Sequence, residues 1–217
     1  MVRRPTWWLA ALVTTWACGA GPRASGQETS PLAGRVLAPY ASRRVLVLPA
    51  LYLRSGDSLG FAAKVTNDRD YLDEVDAEIA FALRDRGVKK LWVFPPQLAR
   101  AARRNAPYAP DIYDLAAQWL RPPVKKIPDQ LPEPLASQIR TLIALEEDAQ
   151  FLLLPVEVRF EPAGPGQECA VIRVVVLDGR LSRIAWMADI AGDPSATFSP
   201  ALVASAAEHL ANLVGEP

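Results

Sequence analysis

Two apolar runs around Asp178-Gly179 limit the architectures open to this chain more than any other feature. Residues 169–177 (CAVIRVVVL) and 181–190 (LSRIAWMADI) read as strands, and Asp-Gly between two such runs is the strongest short-range hairpin signal. In the second run Ile184, Trp186, Ala188 and Ile190 alternate with Arg183, Ala185, Met187 and Asp189, so one apolar face is expected. Such a face has to be covered by another layer, and the rest of the chain supplies candidates for it.

Residues 44–50 (RVLVLPA) read as a buried strand ended by Pro49, and residues 88–94 (VKKLWVF) as a second strand stopped by Pro95-Pro96. Between them, Asp70 to Arg86 has Leu72, Val75, Ile79 and Leu83 at helical spacing, acidic residues early and arginines late, with Gly87 as C-cap. Phe81 falls off that stripe and suggests a second contact surface. Nine prolines follow in the 40 residues from Pro95 to Pro134, leaving room only for short helices at 97–104 and 112–120. Residues 135–147 give a helix, and residues 151–160 give a strand in which Pro155 implies an edge, a bulge or a break. After the hairpin, Ser199 as N-cap and Pro200 in the first turn open a last helix with the stripe Leu202, Ala206, Leu210 and Leu213. The expectation is an α/β fold: a single mixed β-sheet of about four to five strands, helices packed on it, and a C-terminal hairpin followed by a helix.

The first residues read as an export signal. Arg3 and Arg4 precede an uncharged run of 11 residues, Trp7 to Ala17, too short for a bilayer span of about 20 residues. Cys18 follows in a setting like a bacterial lipoprotein cleavage box, although Thr15 and Trp16 depart from it; cleavage near Ala24-Ser25-Gly26 is the alternative. The organisation expected is a signal peptide at 1–17, a flexible tether at 18–41 and one α/β domain at 42–214 carrying the Pro-rich segment 95–134. Cleavage before Cys18 turns 24 basic against 24 acidic residues into 22 against 24 and leaves Cys169 without an intrachain partner. Half the residues are hydrophobic, which excludes a disordered chain, and the charge balance removes any overall attraction to nucleic acid. With one His, a His-rich metal site is excluded, and neither metal nor cofactor is expected.

The strand RVLVLPA with its following Ser55-Gly56-Asp57 loop, the ALRDRG helix end before KLWVFPP, the run EEDAQFLLLPVEVRF and the hairpin VVVLDGRLSRIAWMADIAG carry a family likeness. Together they resemble a group of periplasmic lipoproteins and domains: the curli-secretion lipoprotein CsgG, lipoprotein activators of penicillin-binding proteins, and the TolB N-terminal domain. The Pro-rich segment is longer than that group's pattern, and CsgG's pore-forming insertions are not recognisable. The resemblance implies a non-catalytic module, lipid-anchored through Cys18, facing the periplasm from the outer membrane. Its partners would be envelope proteins, with self-association left open.

Gly56-Asp57-Ser58-Leu59 spells the nucleophile block of GDSL-type serine hydrolases, with Ser58 as nucleophile. That chemistry needs a base and an orienting acid, and the single His209 has Ala206 where the acid should stand, so the block reads as a turn and the hydrolase as the alternative. Arg100, Arg103 and Arg104, with Lys89 and Lys90, form a basic patch without the interleaved aromatics of a nucleic-acid platform: either an interaction surface or a solvated face. Proline lowers the entropy a loop loses on binding, so the Pro-rich segment could present Tyr108, Tyr113 and Trp119 as anchors, or wrap the domain with them folded inward.

Overall fold

The computed structural model describes residues 35–122, 127–146 and 149–215. Strand β1 (Val45–Val47) lies between β3 (Trp92–Val93) and β4 (Phe151–Gly164) and is parallel to both. Strands β5 (Gln167–Asp178) and β6 (Arg183–Ala191) extend the sheet antiparallel, in the order β3-β1-β4-β5-β6. The fold is the mixed α/β sheet expected, with six strands instead of four to five. The extra strand is β2 (Tyr52–Leu53), which runs parallel to the second half of β4 and pairs Tyr52 with Glu157.

Two helices cover one face. Helix α2 (Asp68–Asp85) starts earlier than expected because the Asn67 side chain caps it, accepting the N–H of Arg69 at 2.9 Å, and Gly87 ends it at φ +81°. Its stripe of Leu72, Val75, Ile79 and Leu83 meets Leu202, Ala206 and Leu210 of α5 (Ala201–Asn212) over Ile172, Val174 and Val176 of β5. Phe81 points away and is 72% exposed. Helix α5 has Pro200 at its N-cap position and no side-chain cap; Ser199 contributes its carbonyl to Leu202 N–H instead.

The other face is covered by α3 (Pro95–Arg104), α4 (Leu135–Ala144) and the Pro-rich segment itself. Ile112, Leu115, Ala117 and Leu120 are buried with Leu98 of α3, Leu135 and Ile139 of α4 and Leu152 and Leu154 of β4. Each such Leu or Ile contributes about 2 kcal/mol of burial, enough to hold a segment that proline has already stiffened. The helix expected at 112–120 is replaced by turns and one 3-10 turn at Gln118–Leu120. Asp111 takes the Tyr113 N–H at 2.9 Å and Gln138 takes the Ala116 N–H at 2.9 Å, so side chains compete with the helical ladder. The strand expected at 88–94 likewise shrinks to two residues, because Val88–Lys90 is a 3-10 turn and Pro95 already opens α3.

Pro155 lies inside the sheet, where β1 has ended and β2 has not begun. Leu48 donates to Leu153 O and Leu51 to Pro155 O, so no strand needs the missing Pro N–H, and Val156 forms a bulge against β5. Beyond the bulge Val158 and Phe160 take the α2–α5 face, which leaves the alternate residues Glu157, Arg159 and Glu161 to the other face. A second bulge at Ala185 does the same in β6, sending Ile184 to the second core while Trp186 and Ile190 stay with the first.

The β5–β6 turn is longer than Asp-Gly predicts. Asp178 pairs with Arg183, its Oδ1 accepts the N–H groups of Arg180 (3.1 Å) and Leu181 (3.0 Å), and Ser182 takes the positive φ. Gly179 also lies against α4: a Cβ there would meet the Ile143 side chain, whose end would have to move aside. At the front, Leu37 is fully buried and donates to Leu213 O at 2.9 Å, and Ala38–Ala41 forms a short helix, α1. The folded body therefore begins before residue 42, shortening the tether expected through residue 41. The signal, Cys18 and most of that tether lie outside the described residues.

Candidate functional site

Helices α2 and α3 both carry alanines on the sides that face each other, at Ala77 and Ala80 on one and Ala99 on the other. Side chains that short leave a trough of about 460 Å³ between the helices, floored by alanine and by Pro95-Pro96. Arg100 and Arg103, one turn apart on α3, stand on its rim with Arg84 of α2, while Asp73 and Asp76 lie at the α2 side and Tyr113 of the Pro-rich segment closes one end. A second hollow of about 380 Å³ runs along the other side of α3, sharing Ala99, Arg103 and Tyr113 and ending on Pro110 and Ile112.

Arg69 ties this region together. It pairs with Asp73 at 2.7 Å and Asp76 at 3.4 Å, donates to Ala50 O at 3.0 Å, and lies over the Tyr113 ring at 4.8 Å. Asp76 also accepts the Ala50 N–H at 2.7 Å. Burial pushes the Asp76 carboxyl up to about 7, against the opposing pull of that N–H and of Arg69. Tyr113 is likewise raised, by burial first and by Asp73 next, so its phenol remains a donor. Arg84 stacks on Phe94 at 4.4 Å. Arg100, Arg103 and Arg104 make no hydrogen bond or ion pair among the described residues.

The expected interaction surface is thus brought together only in part. Arg100, Arg103 and Tyr113 share the trough. Arg104 is exposed on α3 outside the lining, Lys89 and Lys90 sit on the 3-10 turn before β3, and Tyr108 stands 83% exposed on the turns after α3. Of the two placements open to Trp119 the structure shows the inward one: it packs, half-buried, against the second core cluster.

A second constellation was not anticipated. Beneath the 118–121 turn of the Pro-rich segment, wholly buried Glu157 accepts Arg121 Nε at 2.7 Å through Oε2 and forms an ion pair with Arg54, whose Nη2 lies 2.5 Å from Oε1. Arg173 of β5 grips Asp189 of β6 through Nε and Nη2, both at 2.7 Å, and gives Nη1 to the carbonyls of Leu120 and Arg121. Arg159 joins Asp189 at 2.9 Å and Glu161 at 2.5 Å. The Arg173 hydrogen bond, aided by Arg159, pulls the Asp189 carboxyl down to about 2. This network clamps the 118–121 turn onto the sheet. Its sequence signal was a charge inside an otherwise apolar strand, in VEVRF and VIRVV, since a buried charge has to be paired.

Ser58 donates to Glu168 Oε1 at 2.5 Å, and the same oxygen accepts Leu59 N–H at 2.8 Å. Asp57 accepts the N–H groups of Phe61 and Ala62; burial raises its carboxyl, but those bonds outweigh it and leave it below the usual range. His209 is engaged elsewhere, with Nδ1 at 2.7 Å from Ala191 O and Nε2 at 3.6 Å from Asp193. The GDSL block is therefore a turn pinned to β5 by a carboxylate, and His209 is not its partner. Cys169 is buried, with its thiol raised by burial. Compared with protein-family models, with curated proteins and with solved structures, the chain matches none.

Proposed function

We propose that this chain is an exported, lipid-anchored domain that works by binding other cell-envelope proteins, in the assembly or regulation of a periplasmic or outer-membrane machine. The compartment is read from residues 1–18, where the basic start, the short apolar run and Cys18 lie. The likeness of strand and helix order to the periplasmic lipoprotein group supports the same reading. The observation that carries the mode of action is the trough between α2 and α3. It combines a concave, alanine-floored surface with guanidinium groups that meet no carboxylate among the described residues. Such a surface is built to be completed from outside, as interface cores favour Arg and Tyr.

The test is chemical crosslinking in native cells followed by capture of the chain and mass spectrometry. Reproducible adducts with a small set of envelope proteins are expected. Absence of any envelope protein among the adducts would refute the reading. Mass spectrometry of the native N-terminus checks the anchor separately: a diacylglyceryl-modified Cys18 is expected, and an unmodified N-terminus near Gly26 would remove the lipid.

A further inference from the structure

Among the described residues, most arginines near the sheet face a carboxylate: Arg54 and Arg121 on Glu157, Arg159 and Arg173 on Asp189, Arg44 on Glu146. Arg100 and Arg103 do not, although they sit one turn apart on one helix face and lean over a cavity. We propose that the trough between α2 and α3 receives an acidic segment of the partner protein, its carboxylates held by Arg100, Arg103 and Arg84 and its backbone packed against Tyr113. This deepens the binding reading above and rests on it.

Charge complementarity is the first argument. Two carboxylates line the trough, but Arg69 already serves both Asp73 and Asp76, and Asp76 is half-protonated near neutral pH. The three rim guanidiniums are therefore left in excess, and a guanidinium fork matches a carboxylate in a bidentate pair. Shape is the second argument. About 460 Å³ is many times the roughly 30 Å³ of one water, room for several side chains of a folded-in segment. The alanine floor lies below the arginine rim, where a chain can enter and a flat bilayer surface cannot, so a protein segment is favoured over anionic lipid. Stiffness is the third: Tyr113 is held by Asp111 and by Arg69, so the end wall is already in place before a partner arrives.

The experiment replaces Ala77, which faces the trough from α2 and is exposed, with a photo-crosslinker (Ala77→p-benzoylphenylalanine) in the full chain in native cells. The expected adducts map to partner peptides with net negative charge. Adducts on neutral or basic peptides, or on phospholipid, overturn the proposal while leaving protein binding at other surfaces standing. In parallel, the purified full chain is titrated by fluorescence anisotropy with a labelled Glu-rich 12-residue peptide, its Lys-rich counterpart, and vesicles of phosphatidylethanolamine and phosphatidylglycerol at 3:1. Preference for the Glu peptide is expected, weakened at least about tenfold by Arg100→Glu with Arg103→Glu and by raising salt from about 50 to 300 mM. Equal affinity in the charge-reversed chain, or preference for the vesicles, overturns it. Arg103→Gln, a milder change on an exposed helix face, serves if the double variant fails to fold.

Discussion

Arg173 holds both arms of its guanidinium inside the protein, on Asp189 and on the carbonyls of Leu120 and Arg121, whereas Arg103 leans over an open trough and meets no carboxylate among the described residues. The two regions use one residue type for opposite ends. Under the Pro-rich segment, charges are buried, paired and directed at backbone carbonyls, and the result is a clamp. Between α2 and α3, Arg84, Arg100 and Arg103 make no ion pair among the described residues, and the groove carries an unfavourable group, the buried Asp76 carboxyl raised to about 7. Charge that is satisfied internally holds a fold together, and charge left unsatisfied around a concave surface is available to a partner.

The largest effect expected is at the clamp. Arg173→Ala strands the Leu120 and Arg121 carbonyls and unbalances Asp189, and should lower stability by about 3–5 kcal/mol in urea denaturation. Arg103→Ala should change it by less than about 0.5 kcal/mol. Equal effects at both positions would erase the distinction.

Next comes a pH dependence located in the trough. The folded Asp76 carboxyl, at about 7, keeps a proton that the unfolded chain, near its ordinary 3.8, has lost. The native state therefore binds more protons across that window, and its stability falls as pH rises from about 4 to 7 and is level above. The full cost at pH 8 is on the order of 4 kcal/mol, of which about 3 kcal/mol builds up between pH 5 and pH 8, where urea midpoints measure it. Asp76→Asn should flatten that slope. Asp189 has the opposite sign: held near 2, it adds stability present above about 4 and lost as pH falls through 2.

A smaller change tests whether the clamp depends on charge or only on hydrogen bonds. Glu157→Gln keeps the side-chain shape but leaves Arg54 and Arg121 without their anion, and should cost about 1–2 kcal/mol, read by the same unfolding curves. The smallest effect on stability belongs to Arg100→Ala with Arg103→Ala, within about 0.5 kcal/mol, although partner capture should drop severalfold.

Much of the fold was legible because burial leaves a period in each element. The stripe Leu72, Val75, Ile79 and Leu83 and the stripe on α5 read correctly as faces, and the alternation in β6 holds for Trp186, Ala188 and Ile190 but not for Ile184, which the bulge at Ala185 turns to the second core. What periodicity does not report is how two elements meet. Asp178-Gly179 marked a hairpin, but the turn is longer and packs Gly179 against Ile143 of α4. Pro155 could be an edge, a bulge or a break, and only the end of β1 and the start of β2 make it a bulge within the sheet. The helix expected at 112–120 was lost to side-chain bonds from Asp111 and Gln138, one of them 22 residues away in sequence.

The site was legible as a residue inventory and not as a place. Arg100, Arg103 and Tyr113 were singled out, yet nothing in their spacing says that Ala77 and Ala80 of α2 lie opposite, and it is those alanines that open the trough. Trp119 had two placements open because an aromatic in a Pro-rich stretch has the same signature whether it points out or in, and it points in. Glu157, Arg159 and Arg173 carried a readable signal, charges inside buried strands, whose partners could be found only once the bulge at Val156 had set which face they share.

The central claim is that the arginines of the α2–α3 trough serve a partner and not the fold. Its most direct measurement is a side-by-side reading of Arg100→Glu with Arg103→Glu in the full chain, by urea midpoint and by quantitative recovery of the envelope proteins crosslinked to it in native cells. The predicted result is a midpoint unchanged within error and a recovery reduced about tenfold or more. An unchanged recovery, or a midpoint that falls together with it, would contradict the claim.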